Sequence, residues 1–268
     1  MKIIQTSNYD MFELIDSNRP ISWTKIDRMR EKIKNKNLTS GYNIIVNSKE
    51  AGKKRYGTDG KKYPIVDGQH RYISCKLEGE KFYYQVNDDI ELDDIPTAAS
   101  LQHSWKLTDY LHHYSTIGIH EYKQFVGYMN RYEFPPSATL VVLCGERGNA
   151  VAHALKRGEM KITRPWALAN NFGDAVDTLS QYVKFNKQAR FIEAFLVAFC
   201  NPEYNHSRMM AKLEYLSSKM LKCSDMRTHL EQIEYIYNYN SKDKVKLNTM
   251  RDYNDWLWWH TRCRVESK

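Results

Sequence analysis

Long apolar runs are missing from this chain of 268 residues, and with them any candidate membrane-spanning helix, which needs about 18 or more consecutive apolar positions. The opening residues Met1-Lys2-Ile3-Ile4-Gln5-Thr6 lack the apolar stretch of a secretory signal. Cysteine is sparse and unpatterned. Cys75, Cys144, Cys200, Cys223 and Cys263 are odd in number and never in Cys-x-x-Cys spacing, which favours free thiols in a reducing cytoplasm and disfavours zinc. His112, His113 and His120 lie close together, yet no His-x-x-x-His pair sets two ligands on one helical face, so no metal site is expected from them. A Gly-x-Ser-x-Gly elbow and a Walker A loop are both absent, which removes two common hydrolase signatures. No internal repeat or low-complexity tract is present.

What is there describes a folded, basic chain. A hydrophobic content of 42% with 13% aromatics excludes a disordered polymer. Lys and Arg exceed Asp and Glu by 40 − 32 = 8, a balance that favours an acidic partner, nucleic acid before membrane. The length is enough for two domains.

The most informative feature is Asp67-Gly68-Gln69-His70-Arg71, set between Tyr63-Pro64-Ile65-Val66 and Tyr72-Ile73-Ser74-Cys75-Lys76-Leu77. It reads as a buried strand, a glycine turn and the first turn of a helix. Helix N-termini offer unpaired N–H groups and the positive end of a dipole, and so attract anions. Gly68 lets the backbone approach a phosphate closely, and Arg71 can grip it bidentately. Asp67 either caps the helix or holds Mg2+ against nucleotide phosphates. The same pentapeptide is also compatible with an ordinary strand–helix turn carrying solvated basic side chains.

The flanking order extends this word. Phe12-Glu13-Leu14-Ile15 leads to Asn18-Arg19-Pro20-Ile21, then to a helix over Lys25–Lys34 and a strand over Asn43–Asn47. A basic hairpin at Ser48–Lys62 follows, an exposed loop within reach of phosphates. After the box come a helix ending at Gly79 and a strand over Phe82–Val86. This arrangement resembles the N-terminal domain shared by ParB partition proteins and sulfiredoxins, in the variant group reading Asp-Gly-Gln-His-Arg, over residues 10–90. The resemblance implies a box that binds nucleotide phosphates, CTP or ATP with or without Mg2+, through Gly68, Gln69, His70 and Arg71, with Arg19 as a further candidate. Two departures limit it. Gln69 stands where sulfiredoxins carry their catalytic cysteine, which argues against reduction of a sulfinic acid. The Gly-Glu-Arg-Arg box of partition-type ParB proteins is absent, so clamp formation on DNA does not transfer.

The acidic segment Asp88–Asp94 and Ile95-Pro96-Thr97 mark a change of character. The expected fold is therefore α+β: a small mixed α/β domain over residues 1–95, then an all-helical domain over 96–268. Ser104 or Thr108 is expected to cap a helix with Leu107, Tyr110, Leu111 and Tyr114 on its apolar face, and Trp105 and Tyr110 are expected to fill a core. Helices at His120–Arg131, from Pro136 or Ser137 to Leu143, and at Asn149–Lys156 resemble a helix-turn-helix over 120–163, with Arg157–Ile162 as a short hairpin or wing. On that reading Asn149, His153, Lys156 and Arg157 face DNA, and Arg147 and Lys161 meet its backbone phosphates. The stripes in Phe191–Phe199, at Leu213, Leu216, Met220 and Leu221, and at Leu230, Ile233, Ile236 and Tyr237 read as core. Trp256-Leu257-Trp258-Trp259-His260 serves packing, a homodimer surface or base stacking.

The leading expectation is a cytoplasmic, nucleotide-responsive DNA-binding or regulatory protein of phage or mobile-element type. A second reading is an NTPase, phosphotransferase or nuclease, with Asp67, His70 and Arg71 as the catalytic group. A third is a phage protein that binds a host protein through an inactive box.

Overall fold

The computed structural model describes residues 2–35, 42–49, 62–96, 105–145 and 149–248. Arg147, most of the basic hairpin and the tryptophan-rich segment at 256–260 lie outside them. The chain divides into two compact units, Met1–Lys123 and Gln124–Lys268. The architecture is α+β: a mixed five-stranded sheet with helices, followed by a helical part.

In the first unit the strands are β1 (Ile3–Thr6), β2 (Phe12–Glu13), β3 (Ile44–Val46), β4 (Tyr63–Asp67) and β5 (Phe82–Val86), in spatial order β1-β5-β3-β4-β2. β1 adds a strand that the sequence pattern does not predict; β3, β4 and β5 fall where the β-branched and aromatic runs predict. β1 and β5 are antiparallel, β5 and β3 parallel, β3 and β4 antiparallel, and β4 and β2 parallel. Helices α1 (Trp23–Asn35) and α2 (Gln69–Glu78) pack on one another. The core beneath α2 joins Phe12, Ile44, Val46, Ile65, Tyr72, Cys75, Phe82 and Tyr84. Its rings meet mostly edge to face, as in Phe12 against Phe82 at 5.2 Å and Phe12 against Tyr84 at 4.9 Å, an arrangement that ring quadrupoles favour.

At the far end of α2, Glu78 ties the two helices together. Its carboxylate receives Arg30 Nε at 2.5 Å and lies 3.4 Å from Lys34 Nζ, and these cations hold it below the usual carboxylate range. Gly79 then ends α2 in the left-handed region at φ 71°, with its own N–H on the Lys76 carbonyl and that of Glu80 on the Cys75 carbonyl.

Helix α3 (Leu107–Thr116) also belongs to the first unit, so the boundary expected near residue 95 falls inside it. The physical reason is side-chain to backbone bonding, because His112 and His113 reach the carbonyls of Asp16 and Ser17. Trp105 and Tyr110 are buried there as expected. The expected caps do not apply: Lys106 occupies the cap position, and its N–H donates to Asp109 at 2.8 Å.

Helix α4 (His120–Tyr132) leads into the second unit, which continues with α5 (Pro136–Cys144), α6 (Asn149–Lys156), α7 (Trp166–Leu179), α8 (Ala189–Phe199), α9 (His206–Leu216) and α10 (Met226–Asn238). α5 is buried from Ala138 to Cys144, its apolar run broken by Thr139, whose hydroxyl donates to the Pro135 carbonyl at 3.1 Å. α8 is likewise buried from Phe191 to Ala198, and the one charged side chain of that stretch, Glu193, pairs with Arg190 at 2.9 Å. Gly173 in α7 lies beneath the Tyr132 ring, where an added Cβ would come within 2.5 Å of it. The stripe expected to run through Leu221 stops earlier: α9 ends at Leu216, Met220 is buried and Leu221 is exposed.

Candidate phosphate-binding site

The site is built around one glycine. β4 ends at Asp67 and α2 begins at Gln69, so the chain reverses direction within Gly68, which sits at φ 95° where a side chain is strained. Gly68 is the helix cap and brings no side chain to it. The first intrahelical bond runs from the Tyr72 N–H to the Gly68 carbonyl at 2.9 Å. The N–H groups of Gln69, His70 and Arg71 therefore open the helix without a side-chain acceptor, at the positive end of its dipole.

Asp67 is not that missing cap. Its Oδ2 pairs with Arg71 Nη2 at 3.0 Å, one turn further on, because Gly68 takes the cap position and leaves the Asp67 side chain beside the i+4 residue. Arg71 is thereby folded over Gly68, with Nη2 and Nε 3.1 and 3.3 Å from where a Cβ would stand. The guanidinium and the open helix terminus thus occupy one place.

His70 is buried and joins a second helix terminus to the first. Its Nε2 accepts the Ser22 N–H at 3.0 Å, and the Ser22 carbonyl receives Lys25 N and Ile26 N as α1 begins. Two helix N-termini are therefore tied together through one imidazole. Burial, then the nearby charges of Arg19 and Lys25, push the His70 pKa down to about 4, against a smaller opposing effect of Asp67. His70 is thus neutral at pH 7, with its Nε2 lone pair already engaged.

Gln69 is also buried, and its Nε2 donates to the Arg19 carbonyl at 2.6 Å. Asn18 completes the frame. Its Nδ2 donates to the Val66 carbonyl at 3.1 Å and its Oδ1 accepts the Arg19 N–H at 2.8 Å. Box and Asn-Arg word, some fifty positions apart in sequence, are brought together by these bonds. Arg19 itself is half-buried, and no ion pair joins its side chain to another described residue. Ser22 and Asn18 are the site residues that sequence reasoning leaves out. The Asn18-Arg19 word was the only signal for Asn18, and nothing local marks Ser22.

Chemically, the arrangement offers backbone N–H donors, two guanidinium groups and a helix-dipole pair, the groups that bind a phosphate. A free general base is not among them, since His70 and Asp67 are both already bonded. Cys75 is buried in the core with its thiol pushed up to about 11 by burial and then by Glu80, so it is poor in thiolate at neutral pH.

The residues expected to face DNA lie in the second unit. His153, Lys156, Arg157 and Lys161 are exposed there; Asn149 opens α6, and Arg147 lies outside the described residues. The expected wing is not a hairpin: among the described residues, no strand occurs in 157–162. Gly158 at φ 79° ends α6 instead, with its N–H on the Leu155 carbonyl and the Glu159 N–H on the Ala154 carbonyl, and Arg157 pairs with Glu159 at 2.7 Å.

No family model and no curated protein matches the chain. Among solved structures, it is similar at a TM-score of 0.30 and 14% identity to the C-terminally truncated chromosome-partitioning protein ParB from Caulobacter crescentus complexed with CTP-gamma-S, over 70% of this chain and 99% of that one.

Proposed function

We propose that the first unit binds the phosphate groups of a nucleotide, CTP or ATP, and that the protein is a nucleotide-responsive DNA-binding or regulatory protein. The observation that carries this reading is the uncapped start of α2, whose Gln69, His70 and Arg71 N–H groups open beside Arg71 and are tied through His70 to the start of α1. Arg19 and Arg71 supply the charge, and Mg2+, where present, neutralises the remaining phosphate charge. Binding is favoured over hydrolysis because Asp67 and His70 already have partners. DNA contact is assigned to the exposed cations of the second unit, Lys156, Arg157 and Lys161, on the strength of their exposure and the net charge of +8.

The test is thermal stability of the full chain with CTP, ATP, GTP and UTP, with and without Mg2+, on wild type and Arg71→Ala. A nucleotide at about 100 times its Kd stabilises by ~2.7 kcal/mol, a shift easily measured. One nucleotide should raise the melting temperature of the wild type and not of the variant. A flat panel for both would reduce the box to a structural turn and leave a protein partner as the reading to pursue.

A further inference from the structure

Helix α3 carries two adjacent histidines, and both turn a ring nitrogen toward the backbone of one loop. His112 Nε2 lies 2.8 Å from the Asp16 carbonyl, and His113 Nδ1 lies 2.9 Å from the Ser17 carbonyl. A carbonyl oxygen only accepts, which places the proton on Nε2 in His112 and on Nδ1 in His113. The next residues of that loop are Asn18 and Arg19. Their anchors lie elsewhere: the Asn18 N–H on the Ile15 carbonyl at 3.0 Å, the Asn18 amide on Val66, and the Arg19 carbonyl on Gln69. The loop that presents Arg19 is therefore held from two sides, by β4 and α2 on one and by the histidine pair of α3 on the other.

His113 is wholly buried, with its ring edge-on to Trp105 at 5.8 Å and to Tyr114 at 5.0 Å. Among the described residues its Nε2 is buried without a hydrogen-bond partner, and the ring's hydrogen bond goes to the Ser17 carbonyl. The bond to Ser17 is thus made at the cost of one buried ring nitrogen left without a partner among the described residues, a cost that an apolar side chain in the same space would not carry.

We infer that His112 and His113 are positioning residues for Arg19, fixing the Asp16–Arg19 loop from α3 so that the guanidinium meets the phosphate site already ordered. The inference rests on Arg19 being a phosphate ligand, as proposed above. Holding a binding side chain in place before the ligand arrives removes its ordering cost from the binding step. Loss of both donors is expected to weaken binding by about tenfold.

The test uses the geometry of the two nitrogens. Glutamine places an amide N–H near the position of histidine Nε2, and asparagine places one near Nδ1. The full chain is compared as wild type, His112→Ala/His113→Ala and His112→Gln/His113→Asn, with CTP and ATP as calorimetric probes and amide hydrogen exchange over residues 15–21 without ligand. The alanine pair should exchange faster in that segment and bind about tenfold more weakly, and the Gln/Asn pair should restore both. If the alanine pair fails to fold, His112→Ala alone carries the test, because His112 is only half-buried. Unchanged exchange and unchanged affinity would overturn the inference. A wild type that binds neither nucleotide refutes the phosphate-site reading instead, and exchange over 15–21 then still decides whether the histidines order the loop.

Discussion

Asp67 holds the Arg71 guanidinium at 3.0 Å across one turn of α2, directly above Gly68. A phosphate arriving at the open helix terminus meets an arginine that already has a carboxylate partner, and that carboxylate repels the incoming anion. Asp67→Asn should therefore tighten the binding of inorganic phosphate and of nucleotide measured by calorimetry in EDTA, by roughly 3- to 10-fold, since one adjacent like charge is removed. If Asp67 instead holds Mg2+ against the phosphates, the same variant loses the Mg2+-dependent part of the affinity. The two roles thus predict opposite signs, and a titration with and without Mg2+ separates them.

Gly68 combines backbone strain with crowding, and Gly79 offers an internal control. Both sit in the left-handed region, but a Cβ at Gly68 would lie 3.2 Å from Ile44 Cγ1 and 3.1 Å from Arg71 Nη2, whereas one at Gly79 meets nothing within 4 Å. Gly79→Ala should cost about 1 kcal/mol in urea unfolding from backbone conformation alone. Gly68→Ala should cost more, about 2 kcal/mol, because Ile44 is fixed in the core even though Arg71 can move aside. It should also weaken phosphate binding by displacing Arg71. Equal costs at the two positions would show that the contact with Ile44 is easily relieved.

The strand–glycine–helix unit was legible because each part has a local cause: Tyr63–Val66 is β-prone and apolar, Gly68 permits the turn, and Gly79 stops the helix. The same holds for α6, whose ends at Asn149 and Lys156 follow from its pattern. Three things were not local. β1 is only Ile3–Thr6, too short and too polar at Gln5 and Thr6 to announce itself, and it exists because β5 supplies an antiparallel partner. The sequence alone suits the Asp67 carboxylate to a cap or a metal ligand, and its pairing with Arg71 depends on Gly68 taking the cap position. His70 looked like a proton carrier because its type suits that chemistry. Its neighbours Ser22, Arg19 and Lys25 come from some fifty positions away, and they hold it as a neutral acceptor. Composition and spacing carry no information about such partners.

Cys75 follows the box by about one helical turn, yet it lies in the core with its thiol raised to about 11. Reactivity follows the thiolate, so native Cys75 should resist alkylation by iodoacetamide at pH 8 and become reactive only in urea. Mass spectrometry of the labelled peptide reads this directly. Rapid native labelling would mean that the thiol is accessible and would reopen cysteine chemistry near the box.

The pH dependence of stability carries a signature of His70. Its folded pKa of about 4 lies below the ordinary 6.5, so the folded state favours the neutral ring and the unfolded chain takes up the proton first. The stabilisation is present in full above pH 6.5 and is lost as pH falls toward 4. At ~1.4 kcal/mol per unit, the full effect is on the order of 3 kcal/mol. Arg19 and Lys25 both push in this direction, and Asp67 opposes them less strongly. His113, His206 and His229 are also held below their ordinary pKa by burial, so wild-type stability falls through this window for several reasons at once. His70→Gln isolates one of them, because its amide oxygen can still accept the Ser22 N–H and does not titrate. Urea unfolding measured from pH 7 to pH 4 should show a shallower loss in the variant, with the two curves converging toward the acid end. Parallel curves would mean that His70 takes up its proton over the same pH range folded and unfolded, and so that burial and the neighbouring cations do not hold it as a neutral acceptor.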